Sequence, residues 1–300
     1  MKERWVSTGA VLVALAAVAL AAKGVIAKLL YARGLSFDLV GGLRGVLAVP
    51  FYWAIAVLRS PGRAAHHATW QARIWAGVAG VVCYYGGGLL NLAALRTIDV
   101  SLERLVLFTY PTVVVILSAV MRRTAPSGST LIALLGTYLG VMLAVLGGST
   151  ERIQDNVSGA ALVFVSALTM GFYVLVAERM LRIIGSTAFT VWSMTAAAVA
   201  WCVHLLLLRP TELLMAVWMS VDTIALIAML VVFSMVLPAF AMVAGIERIG
   251  AERAAIISTL GPPAAAVIAW LILGEVMTPV QMAGLLVVVG GVLLLERKRR

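Results

Sequence analysis

Charged residues are scarce in this chain of 300 residues. Asp, Glu, Lys and Arg together make up 12% of the sequence, whereas hydrophobic residues make up 63%. A soluble domain carries about 25% charged residues because water must wet its surface. The scarcity excludes a soluble globular fold and indicates that most of the chain lies in lipid. The Lys and Arg residues are spread between apolar runs, which argues against a nucleic-acid-binding protein.

Motifs for ATP hydrolysis and for metal chemistry are also missing. The sequence has no Walker A phosphate loop, no HExxH and no Asp-rich prenyl-diphosphate motif. Cys83 and Cys202, the two cysteines, lie in apolar runs without a second Cys or a His at metal-ligand spacing. They therefore predict small buried side chains and neither a disulfide nor a metal site. We expect no enzyme activity, no cofactor and no metal.

Ten apolar runs are long enough to cross a membrane as helices. A span needs about 20 apolar residues, and within lipid only a helix satisfies its own backbone over such a length. The chain is therefore predicted to be all-α, a polytopic membrane protein with ten transmembrane helices. These spans 1 to 10 cover roughly 6–30, 36–58, 74–95, 101–121, 129–148, 157–177, 187–208, 223–246, 253–274 and 279–295.

The start of span 1 has a second interpretation. A charged beginning and an apolar stretch over 11–20 resemble a secretory signal peptide, but the apolar run continues past Lys23 to Leu30. A permanent span is therefore favoured. Most Lys and Arg residues fall in connections that face the cytoplasm if the N-terminus does. This bias predicts that both termini are cytoplasmic.

The two halves of the chain, 1–150 and 151–300, resemble each other at an offset of 151 positions. Identical residues align at this offset: Ile98 with Ile249, Pro111 with Pro262, and Gly140 with Gly291. Each half holds five spans, and five is odd, so the second copy must lie upside down in the membrane. Inverted repeats of this kind form carriers whose site lies near mid-membrane between the halves.

A set of short motifs in this repeat resembles a known family. The second half contains a turn at 245–251, Ser258-Thr259-Leu260-Gly261-Pro262-Pro263, Leu273-Gly274-Glu275, and a Gly-rich span 10. The first half contains Leu43-Arg44 in span 2 and Tyr110-Pro111 in span 4. Over essentially the whole chain, these residues resemble the EamA type of the drug/metabolite transporter superfamily. The chain departs from it after span 4, where Met121-Arg122-Arg123 stands in place of Leu-Gly-Glu.

The resemblance implies a secondary transporter of the bacterial inner membrane. It implies alternating access through a cavity lined by spans 1, 3, 4, 6, 8 and 9, often for export. Amino acids, aromatic ones included, are among the substrates of such proteins. The expected partners are a small-molecule substrate and the lipid bilayer, and the residues leave open whether the chain is a monomer or a homodimer. Span 1 lacks the Glu on which the small multidrug members depend, which disfavours a cationic-drug/proton antiporter.

Lys23 is the residue that most clearly suggests a binding site. An ionised Lys at mid-membrane costs on the order of 2.5–3.5 kcal/mol, so it normally faces a cavity or a partner. It lies seven residues before Leu30, or about 10 Å at 1.5 Å per residue. In a cavity its ammonium would favour a carboxylate. Snorkelling and an internal ion pair are the alternatives. Arg44 is also deep, and we predict a structural tie for it.

Further candidates follow from spacing and from the repeat. Span 3 carries Gly80, Tyr84, Gly88 and Asn91 on one helix face, for either close packing or cavity lining. Tyr110-Pro111 and Gly261-Pro262-Pro263 predict kinks at matching places in the two halves, which often mark a carrier's site. The remaining residues predicted to line the cavity are Met170, Tyr173, Phe240, Thr259 and Trp270.

Two Glu-Arg pairs open spans 4 and 9 on opposite sides of the membrane. They are Glu103-Arg104 and Glu252-Arg253, and they suggest either a gate at each mouth or solvated helix starts. Asp99 is predicted to be the N-cap of span 4.

We therefore predict a carrier for a small metabolite, with amino acids favoured because they would supply a carboxylate to Lys23. The alternatives are a carrier for a nucleobase, an organic acid or a lipid-linked group, and an integral-membrane enzyme.

Overall fold

All regular structure in the described part of the chain is helical. The computed structural model describes residues 2–59, 69–110, 153–215, 218–242 and 260–297, together with positions 113, 128, 135–136, 139–140, 142–143, 245, 248–249 and 257. The helices are α1 (Lys2–Ala32), α2 (Phe37–Arg59), α3 (Trp70–Ala94), α4 (Val100–Leu107), α5 (Ile153–Leu208), α6 (Pro210–Met215), α7 (Val221–Met242), α8 (Gly261–Leu273) and α9 (Pro279–Arg297).

Six helical segments among the described residues are long and apolar enough to cross a membrane. They lie where the apolar runs predict spans 1, 2, 3, 6, 7 and 8: Thr8–Ala32, Phe37–Leu58, Trp70–Ala94, Asn156–Ala177, Thr187–Leu208 and Val221–Met242. The all-α class is therefore confirmed. The count of ten spans stays a prediction.

Helix α5 contains two of these spans because it breaks at Gly185. This residue has φ 75° and ψ 166°, a backbone conformation that other residues rarely adopt. We call Asn156–Ala177 the first limb of α5 and Thr187–Leu208 its second limb. Glycine at this position allows the chain to reverse direction between two membrane helices without a long loop.

Two of the helices contain a π-helical segment. The segment in α3 covers Val81–Gly87 and the segment in α7 covers Val232–Val236. Their first residues stand at the 151-residue offset of the repeat. Such segments shift the hydrogen-bond ladder and are frequent at functional sites. An aromatic side chain from another helix donates to a carbonyl in each: Trp201 Nε1 to Tyr84 O at 3.2 Å, and Tyr52 Oη to Met235 O at 2.9 Å.

The proline pair predicted to kink span 9 lies at the start of a helix. Helix α4 stops at Leu107, and a turn over 108–109 precedes Tyr110. Helix α8 begins at Gly261 with its prolines in the first turn, where a missing N–H removes no helical hydrogen bond. The proline pair at 262–263 therefore lies in the first turn of α8, directly after a turn at Leu260. Pro111 lies outside the described residues.

Helices of the first half pack mainly against helices of the second half. Helix α1 lies against α7 and α8, and α3 lies against both limbs of α5. Glycines permit the closest approaches: a Cβ on Gly80 would overlap the backbone of Ser193, and one on Gly87 would overlap the Thr169 hydroxyl. Large apolar side chains such as Leu58 and Leu207 remain exposed on the outside, as expected of helices that face lipid.

Candidate functional site

Lys23 lies in a buried polar cluster inside the bundle. Its Nζ donates to Asn91 Oδ1 at 2.5 Å and to Glu103 Oε1 at 3.1 Å. The Asn91 amide donates to the same Glu103 oxygen at 2.6 Å. Helices α1, α3 and α4 each supply one of these residues, and Glu103 has 0% exposure. Of the interpretations offered for Lys23, the structure shows an internal ion pair.

Arg104 adds a second cation to the same carboxylate. Its Nε lies 3.4 Å from Glu103 Oε2, and its Nη2 donates to the Leu20 carbonyl of α1. Both members of the first predicted gate pair are therefore buried rather than solvated at a helix start. Glu252 and Arg253, the second pair, lie outside the described residues.

Arg44 of α2 is buried near this cluster and stays unpaired. It has 5% exposure, and its Nε has no hydrogen-bond partner. Among the described residues no hydrogen bond or ion pair involves its side chain. The groups with which its charge interacts most are Tyr31, Tyr52, Tyr84 and Arg104. The structural tie predicted for Arg44 is absent from this part of the chain.

Tyr84, which the sequence predicted to line a cavity, lies near Arg44 together with Tyr31 and Tyr52. Tyr84 meets Tyr173 edge to face with ring centroids 5.1 Å apart, and Tyr52 meets Phe240 at 5.8 Å. Gly88 borders Arg44, since a Cβ there would come within 3.4 Å of Nη2. Met170 lies near Tyr173 on the first limb of α5, with its Sδ 3.6 Å from Cys83 Sγ.

Several other predicted residues lie elsewhere. Trp270 has 58% exposure on the outer surface of α8, so its ring faces the lipid side. Gly80 serves close packing with α5. Tyr110 lies against Phe108 with ring centroids 6.0 Å apart. Pro262 is buried in the first turn of α8, and Thr259 lies outside the described residues.

A second ionic network joins α1, α4 and the end of α8. Lys28 Nζ lies 2.7 Å from Glu275 Oε1 and 3.7 Å from Asp99 Oδ1. The other Glu275 oxygen accepts the Val100 amide at 2.9 Å. Asp99 occupies the N-cap position as predicted, but its side chain makes no capping bond. Glu275 takes that role from another helix, so three segments are tied at one end of the bundle.

A third network ties α2 to α5 at the same end. Asp38 accepts from Arg209 Nε at 2.8 Å and lies 3.2 Å from His204 Nε2. His204 Nδ1 lies 3.1 Å from the Tyr85 hydroxyl. Beside this network is a cavity of about 850 Å³. Residues that line it include Tyr31, Arg33, Arg96, Arg209 and Glu212.

The EamA-like transporter family matches the chain twice, over residues 7–146 and 157–297. This chain belongs to the EamA-like transporter family. Within the described residues, the EamA-like chain has no group of three or more His, Cys, Asp or Glu side chains placed to hold a metal ion.

Two relatives of this EamA-like transporter are themselves named as uncharacterized transporters. YcbK of Bacillus subtilis (strain 168) is 30% identical over 94% of this chain and 91% of its own length. YicL of Salmonella typhimurium (strain LT2), named an inner membrane transporter, is 29% identical over 64% of this chain and 63% of its own length. A protein of known crystal structure has a TM-score of 0.68 at 15% identity, covering 98% of this chain and 99% of that one. It shows a shared fold alone.

These comparisons make the EamA-like chain a multi-pass membrane transporter. The names of these relatives give no substrate. Of the residues that the sequence suggested for a cavity, Lys23 and Asn91 are in direct contact, but sequence reasoning missed the part played by Glu275. The Leu-Gly-Glu motif was visible, yet its partners lie 175 and 247 positions away.

The Gly of this motif sets the direction of the chain in the EamA-like transporter. Gly274 ends α8 with φ 69°, and the Glu275 amide then bonds Ala269 O at 3.3 Å, as in a Schellman cap. Gly274→Ala should lower stability by about 1–2 kcal/mol, since a Cβ is disfavoured at positive φ. It should also weaken the Lys28 contact. The unfolding temperature of the variant in detergent, compared with that of the wild type, measures the loss of stability.

Gly290→Ala is the matched control for that variant. Gly290 is helical, and a Cβ there meets nothing within 4 Å, so stability should stay constant or rise. An equal loss of stability in the two variants would contradict the role given to the Gly274 cap.

Proposed function

We propose that this EamA-like chain is a secondary transporter of the bacterial inner membrane that exports a small metabolite by alternating access. Amino acids, aromatic ones included, are the favoured substrate class. The proposed architecture is ten spans in two inverted halves, 1–150 and 151–300, with both termini in the cytoplasm.

The buried excess of positive charge is the observation that carries the substrate class. Lys23, Arg44 and Arg104 are all buried, and Glu103 is the carboxylate that contacts two of them. In their ordinary ionised forms these groups leave two positive charges uncompensated. Buried ionisable groups within membrane helices are expensive and usually mark a substrate or ion pathway. A substrate carboxylate would reduce the excess, and the tyrosines around Arg44 suit an apolar or aromatic side chain.

Matching irregularities in the two halves support an inverted repeat. The π-helical segments begin at Val81 and Val232. The helix interruptions before Tyr110 and at Gly261 also stand at corresponding places. Broken or irregular helices at equivalent positions are the usual pointers to a site between the halves of a carrier. The two separate matches to the family are consistent with this division.

Flux into proteoliposomes tests the proposed function. Purified protein would be reconstituted with and without a pH gradient, and uptake of radiolabelled phenylalanine, leucine and glutamate would be followed over time. We expect saturable uptake of at least one apolar amino acid, and acceleration of uptake when the lumen is preloaded with unlabelled substrate. Protein-free liposomes provide the control.

Two outcomes would change the proposal. Saturable flux of organic acids without flux of any amino acid would favour the organic-acid carrier, which the same positive charge could serve. If no solute showed saturable flux or counterflow, the carrier mechanism itself would be contradicted. Dependence on the pH gradient would identify proton coupling.

A further inference from the structure

Arg44 is a strong hydrogen-bond donor left without an acceptor. Its side chain is 95% removed from solvent, as its 5% exposure shows, yet its Nε has no partner. A guanidinium carries five N–H donors and stays charged in proteins. Burying such a group unpaired is costly unless an acceptor arrives from elsewhere. The site around Arg44 is therefore incomplete among the described residues.

The described neighbours of Arg44 supply no free negative charge to it. Arg104 is a second cation, and it increases the electrostatic need for an anion. Tyr31 and Tyr52 donate their hydroxyl protons to the Leu92 and Met235 carbonyls, and their hydroxyl oxygens, which can still accept a hydrogen bond, carry no negative charge. The nearby carboxylate, Glu103, is already shared by Lys23, Asn91 and Arg104. What the site lacks is a further negative charge.

We propose that Arg44 binds the carboxylate of the transported substrate. This inference rests on the proposed function, because it assigns a residue and a chemical group to that transport site. The planar guanidinium matches a carboxylate with two parallel hydrogen bonds. Gly88 keeps the space beside Nη2 free of a side chain. The edge-to-face pair of Tyr84 and Tyr173 then contacts the apolar part of the substrate.

The assignment differs from the one that the sequence suggested. Lys23 is held by Glu103 and Asn91, so its charge is paired and two of its three N–H donors are occupied before any ligand arrives. Arg44 has free donors at the same depth of burial. Lys23 therefore holds the cluster together and Arg44 binds the ligand.

The cavity of about 850 Å³ extends to Tyr31 of α1. Tyr31 lines this cavity and also interacts with the Arg44 charge. The cavity's charged lining residues are three arginines and one glutamate: Arg33, Arg96, Arg209 and Glu212. A cleft with net positive charge raises the local concentration of anions. The cavity and Arg44 therefore favour ligands with the same sign of charge.

The test compares three ligands that share a phenyl group. Phenylalanine carries a carboxylate and an ammonium, 3-phenylpropionate carries only the carboxylate, and 2-phenylethylamine carries only the ammonium. Binding to purified wild-type protein, Arg44→Gln and Arg44→Lys would be measured by calorimetry in detergent. Arg179→Gln, which removes an exposed arginine between the two limbs of α5, is the charge-matched control.

We expect the wild type to prefer the carboxylate ligands over 2-phenylethylamine. Arg44→Gln should raise their Kd at least about tenfold and abolish that preference, since charge-assisted hydrogen bonds are lost. Arg44→Lys should give an intermediate Kd, because lysine keeps the positive charge but lacks the planar guanidinium that donates two parallel hydrogen bonds. Arg179→Gln should match the wild type. Without ligand, Arg44→Gln should unfold at the wild-type temperature or above, which shows that it folds.

The outcomes separate this inference from the proposed function. An unchanged carboxylate preference in Arg44→Gln would overturn the role of Arg44 while leaving amino-acid transport intact. Binding of 3-phenylpropionate alone, lost in Arg44→Gln, would support Arg44 and contradict the amino-acid substrate. If the wild type bound none of the carboxylates, or bound 2-phenylethylamine equally well, the inference would be wrong.

Discussion

Glu103→Gln is expected to lower the free energy of unfolding by about 3–5 kcal/mol, the usual cost of removing one partner from a buried ion pair. The carboxylate has 0% exposure and lies against both Lys23 and Arg104. Glutamine is nearly the same size, so the main change is that two buried cations lose their counter-charge. Unfolding in detergent, followed by tryptophan fluorescence, measures the loss.

Lys23→Met, combined with Glu103→Gln, completes a double-mutant cycle for this ion pair. The double variant should be less destabilised than the sum of the two single variants, with a coupling energy of about 1–3 kcal/mol. Lys28→Met, on the same helix, is the control. Its ion pair with Glu275 is short but partly exposed, and such pairs contribute about 1 kcal/mol or less. Equal losses in Lys28→Met and Glu103→Gln would show that burial of the Lys23 cluster has no special energetic role.

Gly80→Ala should destabilise the protein by about 3 kcal/mol. A Cβ at this position would overlap the Ser193 carbonyl and come within 2.7 Å of the Ser193 Cα. Backbone atoms cannot rotate away as a flexible side chain does, so α3 and the second limb of α5 must separate. Overpacking of a tight interface typically costs about 1–3 kcal/mol. The thermal unfolding midpoint and the monodispersity of the purified protein would both report this separation.

Gly77→Ala tests the same interface without the clash. Its Cβ would lie 3.4 Å from the Ala196 Cβ, an ordinary van der Waals contact. The higher helix propensity of Ala should then leave stability unchanged or improved. If Gly77→Ala and Gly80→Ala behaved alike, close approach at Ser193 would not be what the glycine provides.

The membrane spans could be predicted from the sequence because each depends on a local property, the apolar character of one continuous run of residues. An apolar run of about 20 residues has one stable form in lipid, whatever its neighbours are. The runs over 6–30, 36–58 and 223–246 accordingly correspond to α1, α2 and α7. The π-helical segments were not predicted, because π and α ladders differ by one hydrogen-bond step and share the same apolar pattern.

The roles of individual charged residues could be predicted from the sequence much less well. Lys23 was correctly recognised as a buried cation in need of a partner, but its partners Asn91 and Glu103 are 68 and 80 positions away. Glu103 was interpreted from its place at the start of span 4, where both solvation and a gate were reasonable. No spacing rule shows that α1, α3 and α4 bring these three side chains to one point.

Composition and the length of the apolar runs determined that this protein is all-helical and lies in a membrane, and short motifs gave its resemblance to a family of transporters. These properties depend on the solvent around each segment and on motifs that are contiguous in the chain. The tertiary structure decided which buried cation is neutralised and which is left free. Lys23 and Arg44 are both cations deep within predicted spans, and only helix packing gives Glu103 to one of them.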